Sequence, residues 1–490
     1  MLALKEMETA RQKRIFSSTT DHKIKFAQYL TPVEIARYMA KTTAEFWKST
    51  DHAAILDAGA GLGVLSCCLA GELLNQHHKL TVNLDAYELD KTILPDLDSA
   101  YRGLFLDGRF FFNIYNKDFI TGNCFDIMCN LEKQYDIIIM NPPYKKINSD
   151  SAYRKSLHDI GIETVNTYSA FIAIAIKLLA DDGVLTAIVP RSFCNGLYFL
   201  PFRKFLLANT SILQIHSFET RDNAFRDEKV LQENVIITLK KTTTQNEKVI
   251  ISFSRDKQFS EYHEISMPFT RIVDCNDKQL YISFPNTNDK AKTFTLACCH
   301  SDLCFDVSTG SIVDFRMKDK LVFDNNTRGI PLLYAVHTRN QKITWPLTSK
   351  KANSILLDEE EITKNAFRKG YYILVKRFSA KEEKRRICAT LITPDSLTAD
   401  CFAVENHLNI IHYKHGSLKK DFALGLTAFL NTEYCDTQFR AFSGHTQVNA
   451  TDLKNMKYPS FEILVKLGKM TLKKNIDEYD DVLQEILNVR

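Results

Sequence analysis

Asn141-Pro142-Pro143-Tyr144 sets a side-chain amide, two prolines and a phenol ring side by side. Together they suit the chemistry of a weakly nucleophilic amine. An amino group conjugated to an aromatic ring, such as N6 of adenine, has its lone pair delocalised into that ring. Acceptors on both N–H bonds favour a pyramidal nitrogen whose lone pair points at an electrophile. The Asn141 side chain and the carbonyls of Asn141 and Pro142 can supply the acceptors, and Tyr144 can stack on the ring. The same four residues also make an ordinary Asn-Pro turn, so alone they leave both readings open.

The element that positions them precedes them. Tyr135-Asp136-Ile137-Ile138-Ile139-Met140 is apolar and β-branched, which reads as a buried parallel strand. Consecutive prolines neither donate to a sheet nor continue a helix, so the strand must end there. Open α/β sheets bind ligands in the crevice beyond the carboxyl ends of their strands, which is where Asn141 and Tyr144 fall.

Earlier in the chain, Thr31 has the character of a helix N-cap with Pro32 at the first helical position and Glu34 in a capping-box place. The Gln28–Pro32 loop is then a candidate to lie over a cofactor. Ala54-Ile55-Leu56-Asp57-Ala58-Gly59-Ala60-Gly61-Leu62-Gly63 reads as a strand and a glycine-rich turn, followed by a helix. Alternate glycines let backbone approach a ligand at a helix N-terminus. No Gly-Lys-Ser/Thr follows, so this is not a phosphate-binding loop. Glu88 ends the next strand, where an acid can hold ribose hydroxyls. Asp118-Phe119 ends a third, as an acceptor for an adenine amino group and a cover for the ring.

The 490 residues are 45% apolar and 25% charged, with a net charge of +4, so any nucleic-acid surface must come from local clustering. The 12 cysteines show neither a CxxC pair nor metal-ligand spacing, which predicts reduced, mostly buried thiols in a cytoplasmic protein and no metal site. No apolar run approaches the roughly 20 residues that cross a bilayer.

After Tyr144 a polar stretch to about Asn166 reads as a loop able to meet a substrate. Helix–strand alternation then continues to about Leu239. Asn223-Ala224-Phe225-Arg226 lies between two strands, making Phe225 either a core aromatic or a second stacking platform. The alternation stops at the polar run Lys240–Asn246, which places a domain boundary near 243/244, with an N-terminal arm over 1–24. In the second half, Arg368–Phe378 and Lys384-Arg385-Arg386 interleave basic and aromatic residues as nucleic-acid surfaces do. Arg339, Asn340, His445 and Gln447 lie in polar stretches whose side-chain types include those that contact base edges, and solvated loops account for them equally well.

Singly these features are common; in this order they resemble a family. Thr31-Pro32, Asp57-x-Gly59-x-Gly61-x-Gly63, Glu88, Asp118-Phe119 and Asn141-Pro142-Pro143-Tyr144, followed by a large C-terminal domain, resemble the γ class of DNA adenine-N6 methyltransferases of restriction–modification systems, the TaqI and PstI/BsuBI type. The likeness spans about residues 25–240 and reaches the second half loosely through Phe442-Ser443-Gly444-His445-Thr446-Gln447. It implies an α/β fold: a Rossmann-like seven-stranded domain with its last strand antiparallel, then a mixed α+β target-recognition domain. S-adenosylmethionine is the implied methyl donor and double-stranded DNA the substrate. On this likeness, Thr31 and the Asp57–Gly63 turn would hold the methionine part, Glu88 the ribose, and Asp118 and Phe119 the adenine. Asn141 and Pro142 would bind the target amino group, and Tyr144 and Phe225 would sandwich a flipped adenine. The turn here begins Asp-Ala-Gly where relatives often carry other small or acidic residues. The expected protein is a monomer with no covalent intermediate; any cognate endonuclease is a separate chain. Cytosine-N4 or RNA-amine methylation is the competing activity, since Asn-Pro-Pro-Tyr also serves those reactions.

Overall fold

Apolar strands and helices alternate through the first half: α1 (Val33–Phe46), β1 (His52–Ala58), α2 (Val64–Gln76), β2 (Thr81–Tyr87), α3 (Leu94–Leu104), β3 (Phe110–Tyr115), α4 (Phe119–Met128), β4 (Tyr135–Met140), α5 (Ala152–Asp159), α6 (Thr167–Leu178), β5 (Leu179–Pro190), α7 (Leu200–Asn209), β6 (Thr210–Phe218), β7 (Asn234–Lys241), β8 (Lys248–Ser254) and β9 (His263–Pro268). The computed structural model describes residues 8–9, 11–12, 14, 30–49, 51–104, 108–218, 233–275, 277–284, 296, 298–323, 328–339, 341–379, 383–442, 447–472 and 474–487, without the side chains of 197, 339, 441 and 442. Most of the expected arm over 1–24 lies outside these residues. Arg11, within it, is buried and donates from Nη1 to the Leu30 carbonyl at 3.3 Å.

One sheet runs β3-β2-β1-β4-β5-β7-β6-β8-β9. Strands β3, β2, β1, β4 and β5 are parallel, and β7 is inserted antiparallel between β5 and β6. These seven strands are the Rossmann-like arrangement implied by the resemblance, and β8 and β9 extend it to nine. Both faces are covered, so β4 splits its side chains between two cores. Ile138 and Met140 pack with α6, and Ile137 and Ile139 with α1 and α2. This double burial is why the strand reads as a continuous apolar run and not as an alternating one.

The boundary expected at 243/244 moves. Two compact units divide between Pro285 and Asn286. The polar run Lys240–Asn246 joins β7 to β8 instead of linking domains. Its polarity serves hydrogen bonds at the end of α7 and the start of β6: Gln245 Nε2 donates to the carbonyls of Leu207 and Thr210 at 2.8 and 2.7 Å, and the Asn246 amide to Ser211 Oγ at 2.9 Å. The stretch after Tyr144 is also more ordered than a loop. It contains α5, capped by Ser151, and is closed by a bridge between Lys146 and Asn166.

The second unit is mixed α+β. Its strands are β10 (Asp306–Thr309), β11 (Leu321–Val322), β12 (Ile330–Leu333), β13 (Thr338–Arg339), β14 (Lys342–Ile343), β15 (Ser354–Ile355), β16 (Ala366–Arg368), β17 (Tyr372–Lys376), β18 (Ala389–Ile392), β19 (Cys401–Val404) and β20 (Leu408–His412). They form sheets β10-β20-β17-β18 and β11-β15-β12-β19-β16 and the hairpin β13-β14. Its helices are α8 (Glu359–Asn365), α9 (Lys420–Leu430), α10 (Glu433–Phe442), α11 (Ala450–Asn455), α12 (Phe461–Thr471) and α13 (Tyr479–Ile486). Burial of cysteines is less general than expected: Cys67, Cys68, Cys124, Cys194 and Cys435 are buried, whereas Cys129, Cys275 and Cys304 are exposed. Among the described residues no helix is long and apolar enough to cross a membrane.

Candidate active site

Parallel register brings the carboxyl ends of β1, β2, β3 and β4 to one edge, with Ala58 beside Tyr87 and Tyr87 beside Tyr115. A cavity of about 210 Å³ opens there, far more than a water or an ion needs. Thr31, Gly59, Gly61, Glu88, Asp118, Phe119, Asn141 and Pro143 line it, so residues scattered over more than a hundred positions converge. Pro32, Asp57, Ala58, Gly63, Pro142 and Tyr144 are not among its lining residues.

The glycine turn is shaped by backbone bonds. The amides of Gly59 and Ala60 donate to the Tyr87 carbonyl at 3.0 and 2.9 Å, and the Gly61 amide donates to Glu88 Oε2 at 2.8 Å. Gly59 and Gly61 have φ of +85° and +56°, where a side chain is strained, and their bare backbone forms part of the cavity wall. Gly63 has a different task. It precedes α2 with φ +76°, and a Cβ there would come within 2.7 Å of Leu97 and 2.8 Å of Tyr101, so it permits close helix packing.

Glu88 is held from two sides, since the Asp90 amide also donates to its Oε1, at 2.7 Å. Burial raises its pKa, while these amides oppose the rise. Asp118 caps α4: Oδ1 accepts from the amide and hydroxyl of Thr121 at 2.8 and 3.0 Å, and Oδ2 accepts from the Tyr153 hydroxyl. The Phe119 ring lies 4.7 Å from that of Phe171, centroid to centroid.

Asp57 is fully buried, and neither carboxyl oxygen has a hydrogen-bond partner among the described residues. Burial pushes its pKa up to about 7, with neighbouring Ser66 moderating the rise and the Glu88 charge adding to it. An acid whose folded pKa exceeds its ordinary 3.8 holds its proton more tightly when folded. Its contribution is therefore full below pH 3.8 and is lost as pH rises to about 7. Asp57→Asn cannot ionise, so the stability of wild type relative to the variant should fall by up to ~4 kcal/mol across that window. Urea unfolding of both proteins without cofactor at a series of pH values checks this, and parallel curves would refute it.

Thr31 does not cap α1 as expected. Pro32 takes the cap position, with no side-chain bond. The Thr31 hydroxyl instead accepts from Asn141 Nδ2 at 3.0 Å, a bond between residues 110 positions apart. That bond orients the amide. Oδ1 then accepts from the Tyr144 hydroxyl at 3.0 Å, and the same hydroxyl lies 3.1 Å from the Ile188 carbonyl. The Tyr144 ring is held edge-to-face by Tyr168, with centroids 6.1 Å apart. Thr167, at the start of α6, bonds the Pro143 carbonyl and accepts from the Lys145 amide at 2.9 Å, which ties the turn to the helix.

Three further lining residues carry no recognisable sequence signal. Phe171 is one apolar residue among many on α6, Tyr153 lies in the stretch read as a loop, and Lys145, whose pKa burial lowers, follows Tyr144 directly. An aromatic four positions into the helix after the Asn-Pro turn is the one hint that could have marked Phe171. Phe225, Asn340 and His445 lie outside the described residues. The Arg339 backbone pairs with Lys342 in the β13-β14 hairpin, and Gln447 bridges Phe378.

Sheet order and site together define a Rossmann-like methyltransferase domain. A family model described as Eco57I restriction-modification methylase matches residues 67–225. The type II methyltransferase M.BsuBI of Bacillus subtilis is 40% identical over 501 aligned positions, covering 98% of each chain. M.PstI of Providencia stuartii, also a type II methyltransferase, is 34% identical over 486 positions, 96% of this chain and 94% of that one. The cryoEM structure of a DrdV–DNA complex has a TM-score of 0.51 at 13% identity, covering 96% of this chain and 60% of that one, a likeness of fold alone. The chain belongs to the type II methyltransferases of restriction–modification systems.

The cavity fits S-adenosylmethionine. Phe119 and Phe171 offer faces for a flat base, Glu88 a carboxylate for vicinal hydroxyls, and Gly59 and Gly61 a close backbone approach. Asp118 offers an acceptor at the same wall.

Proposed function

We propose that the chain is a site-specific DNA adenine-N6 methyltransferase, the modification enzyme of a restriction–modification system, with S-adenosylmethionine as cofactor. The Asn141 amide carries this proposal: it sits at the tip of β4, on the cavity wall, oriented by Thr31 on one side and Tyr144 on the other.

S-adenosylmethionine supplies an electrophilic methyl group when bound. The protein's part is to prepare the acceptor. Rotating an adenine out of the duplex costs a few kcal/mol, which stacking and hydrogen bonds recover. Tyr144 provides one stacking face, its ring fixed by the hydroxyl bonds and by Tyr168, and Phe225 provides the other. Asn141 Oδ1, with two lone pairs, accepts from Tyr144 and from the target amino group together, and the Pro142 carbonyl takes the second amino hydrogen. Because Thr31 and Tyr144 orient the amide in advance, little reorganisation is left for the reaction itself. The second unit grips double-stranded DNA and selects the sequence, with Arg339, Asn340, His445 and Gln447 among its contacts. The protein acts as a monomer, and any cognate endonuclease is a separate chain.

Single-molecule sequencing of DNA from cells expressing the chain, with Asn141→Ala alongside, tests this. Modified adenines should occur in one short sequence context and vanish in the variant. Unmodified adenines, or marks on cytosine N4 instead, would defeat the proposal.

A further inference from the structure

One corner of the second unit combines rigidity with exposed groups that its own packing does not use. The chain leaves β17 as Lys376-Arg377-Phe378, in which the half-buried Arg377 donates from Nη1 to the Asn406 carbonyl at 3.1 Å and an aromatic ring follows. Three segments are tied together there. The Arg377 amide donates to the His407 carbonyl at 3.0 Å, the Val448 amide donates to the Arg377 carbonyl at 2.7 Å, and Phe378 bridges Gln447. On this platform Phe378 is 47% exposed, a large apolar residue to leave in water.

Beside it, 5.2 Å between ring centroids, is His407, whose side chain is 49% exposed. Its Nδ1 is engaged by Glu405, and its amide donates to the other oxygen of that carboxylate at 3.0 Å. The Glu405 side chain is 1% exposed, so a buried carboxylate fixes the ring from below. Nε2 has no partner among the described residues. Ser379, 4% exposed, adds a buried hydroxyl with no partner among them either. A fixed imidazole edge, an apolar face and the adjacent Lys376 are what a DNA groove would meet: a polar atom for a base edge, a wedge or stacking surface, and charge for the phosphates.

We infer that Phe378 and His407 contact DNA bases and help determine which sequence is methylated, with Glu405 a positioning residue that holds the imidazole. The inference rests on the proposed DNA methylation and adds the contact surface. To test it, full-length wild type, His407→Ala and Phe378→Ala each methylate genomic DNA in vitro, and modified positions are mapped by single-molecule sequencing. Melting temperature and S-adenosylhomocysteine binding are measured for each protein. Both variants should melt and bind like wild type. At one or more positions of the methylated sequence, the preference for the correct base over the others should fall about tenfold or more. Variants that modify the same sequence at the wild-type rate would overturn the inference, as would a loss equal across all sequences. A wild type that leaves DNA unmodified would instead overturn the proposed function, and the inference with it.

Discussion

Asn141→Ala should lower kcat for methyl transfer by about 10²–10³-fold, the usual loss when one preorganised polar group at a reacting centre is removed. Two consequences combine. The target amino group loses an acceptor, and Thr31 loses the donor that its hydroxyl accepts from. Cofactor affinity should change much less, within about tenfold, because the hydrogen bonds to Thr31 and Tyr144 that are lost are neutral ones. Transfer of labelled methyl to DNA gives the first quantity, and calorimetric titration with S-adenosylhomocysteine the second. Losses of equal size in both would show that Asn141 shapes the cavity and does not act on the acceptor.

The second large effect concerns stability. Helices α9 and α12 cross where Gly425 faces the backbone of Leu464: a Cβ at 425 would lie 1.7 Å from the Leu464 carbonyl oxygen. Gly468, on the partner helix, is as confined, with the Asp421 carbonyl oxygen 2.2 Å from its Cβ position. Backbone cannot swing aside as a flexible side chain can, so Gly425→Ala must push the helices apart. They carry Leu426, Phe429, Leu464 and Leu467 of the second unit's core, so separation also opens packed apolar surface. A loss of about 3 kcal/mol is expected, at the upper end for overpacking. Gly71→Ala in α2 is the contrast, since a Cβ there meets nothing within 4 Å. It should stabilise by about 0.5–1 kcal/mol through helix propensity. Denaturant unfolding of both variants decides the matter, and a Gly425→Ala midpoint at or above wild type would refute the close crossing.

Much of the fold was legible from local pattern. The run Ile137-Ile138-Ile139 could only be a strand buried on both faces, and the prolines after Asn141 could only end it. The helix–strand alternation carried glycine, acid and Asn-Pro turns in family order, and that resemblance implied seven of the nine strands in the sheet. Other expectations failed where a residue's role depends on a distant partner. The polar run at 240–246 has the composition of a linker, yet it bonds the start of β6. Thr31 has the composition of a cap, yet its hydroxyl serves Asn141.

From the sequence alone came the existence of β4, the turn that ends it and the order of its companions, because hydrophobic period and proline geometry act between near neighbours. Only the tertiary structure decided that Thr31 and Asn141 meet, that Phe171 and Tyr153 join the cavity wall, that Gly63 serves packing and that two more strands extend the sheet. Those outcomes depend on which strands pair and which helix ends face each other. Chain topology sets these across scores of residues, and no short window of residues encodes them.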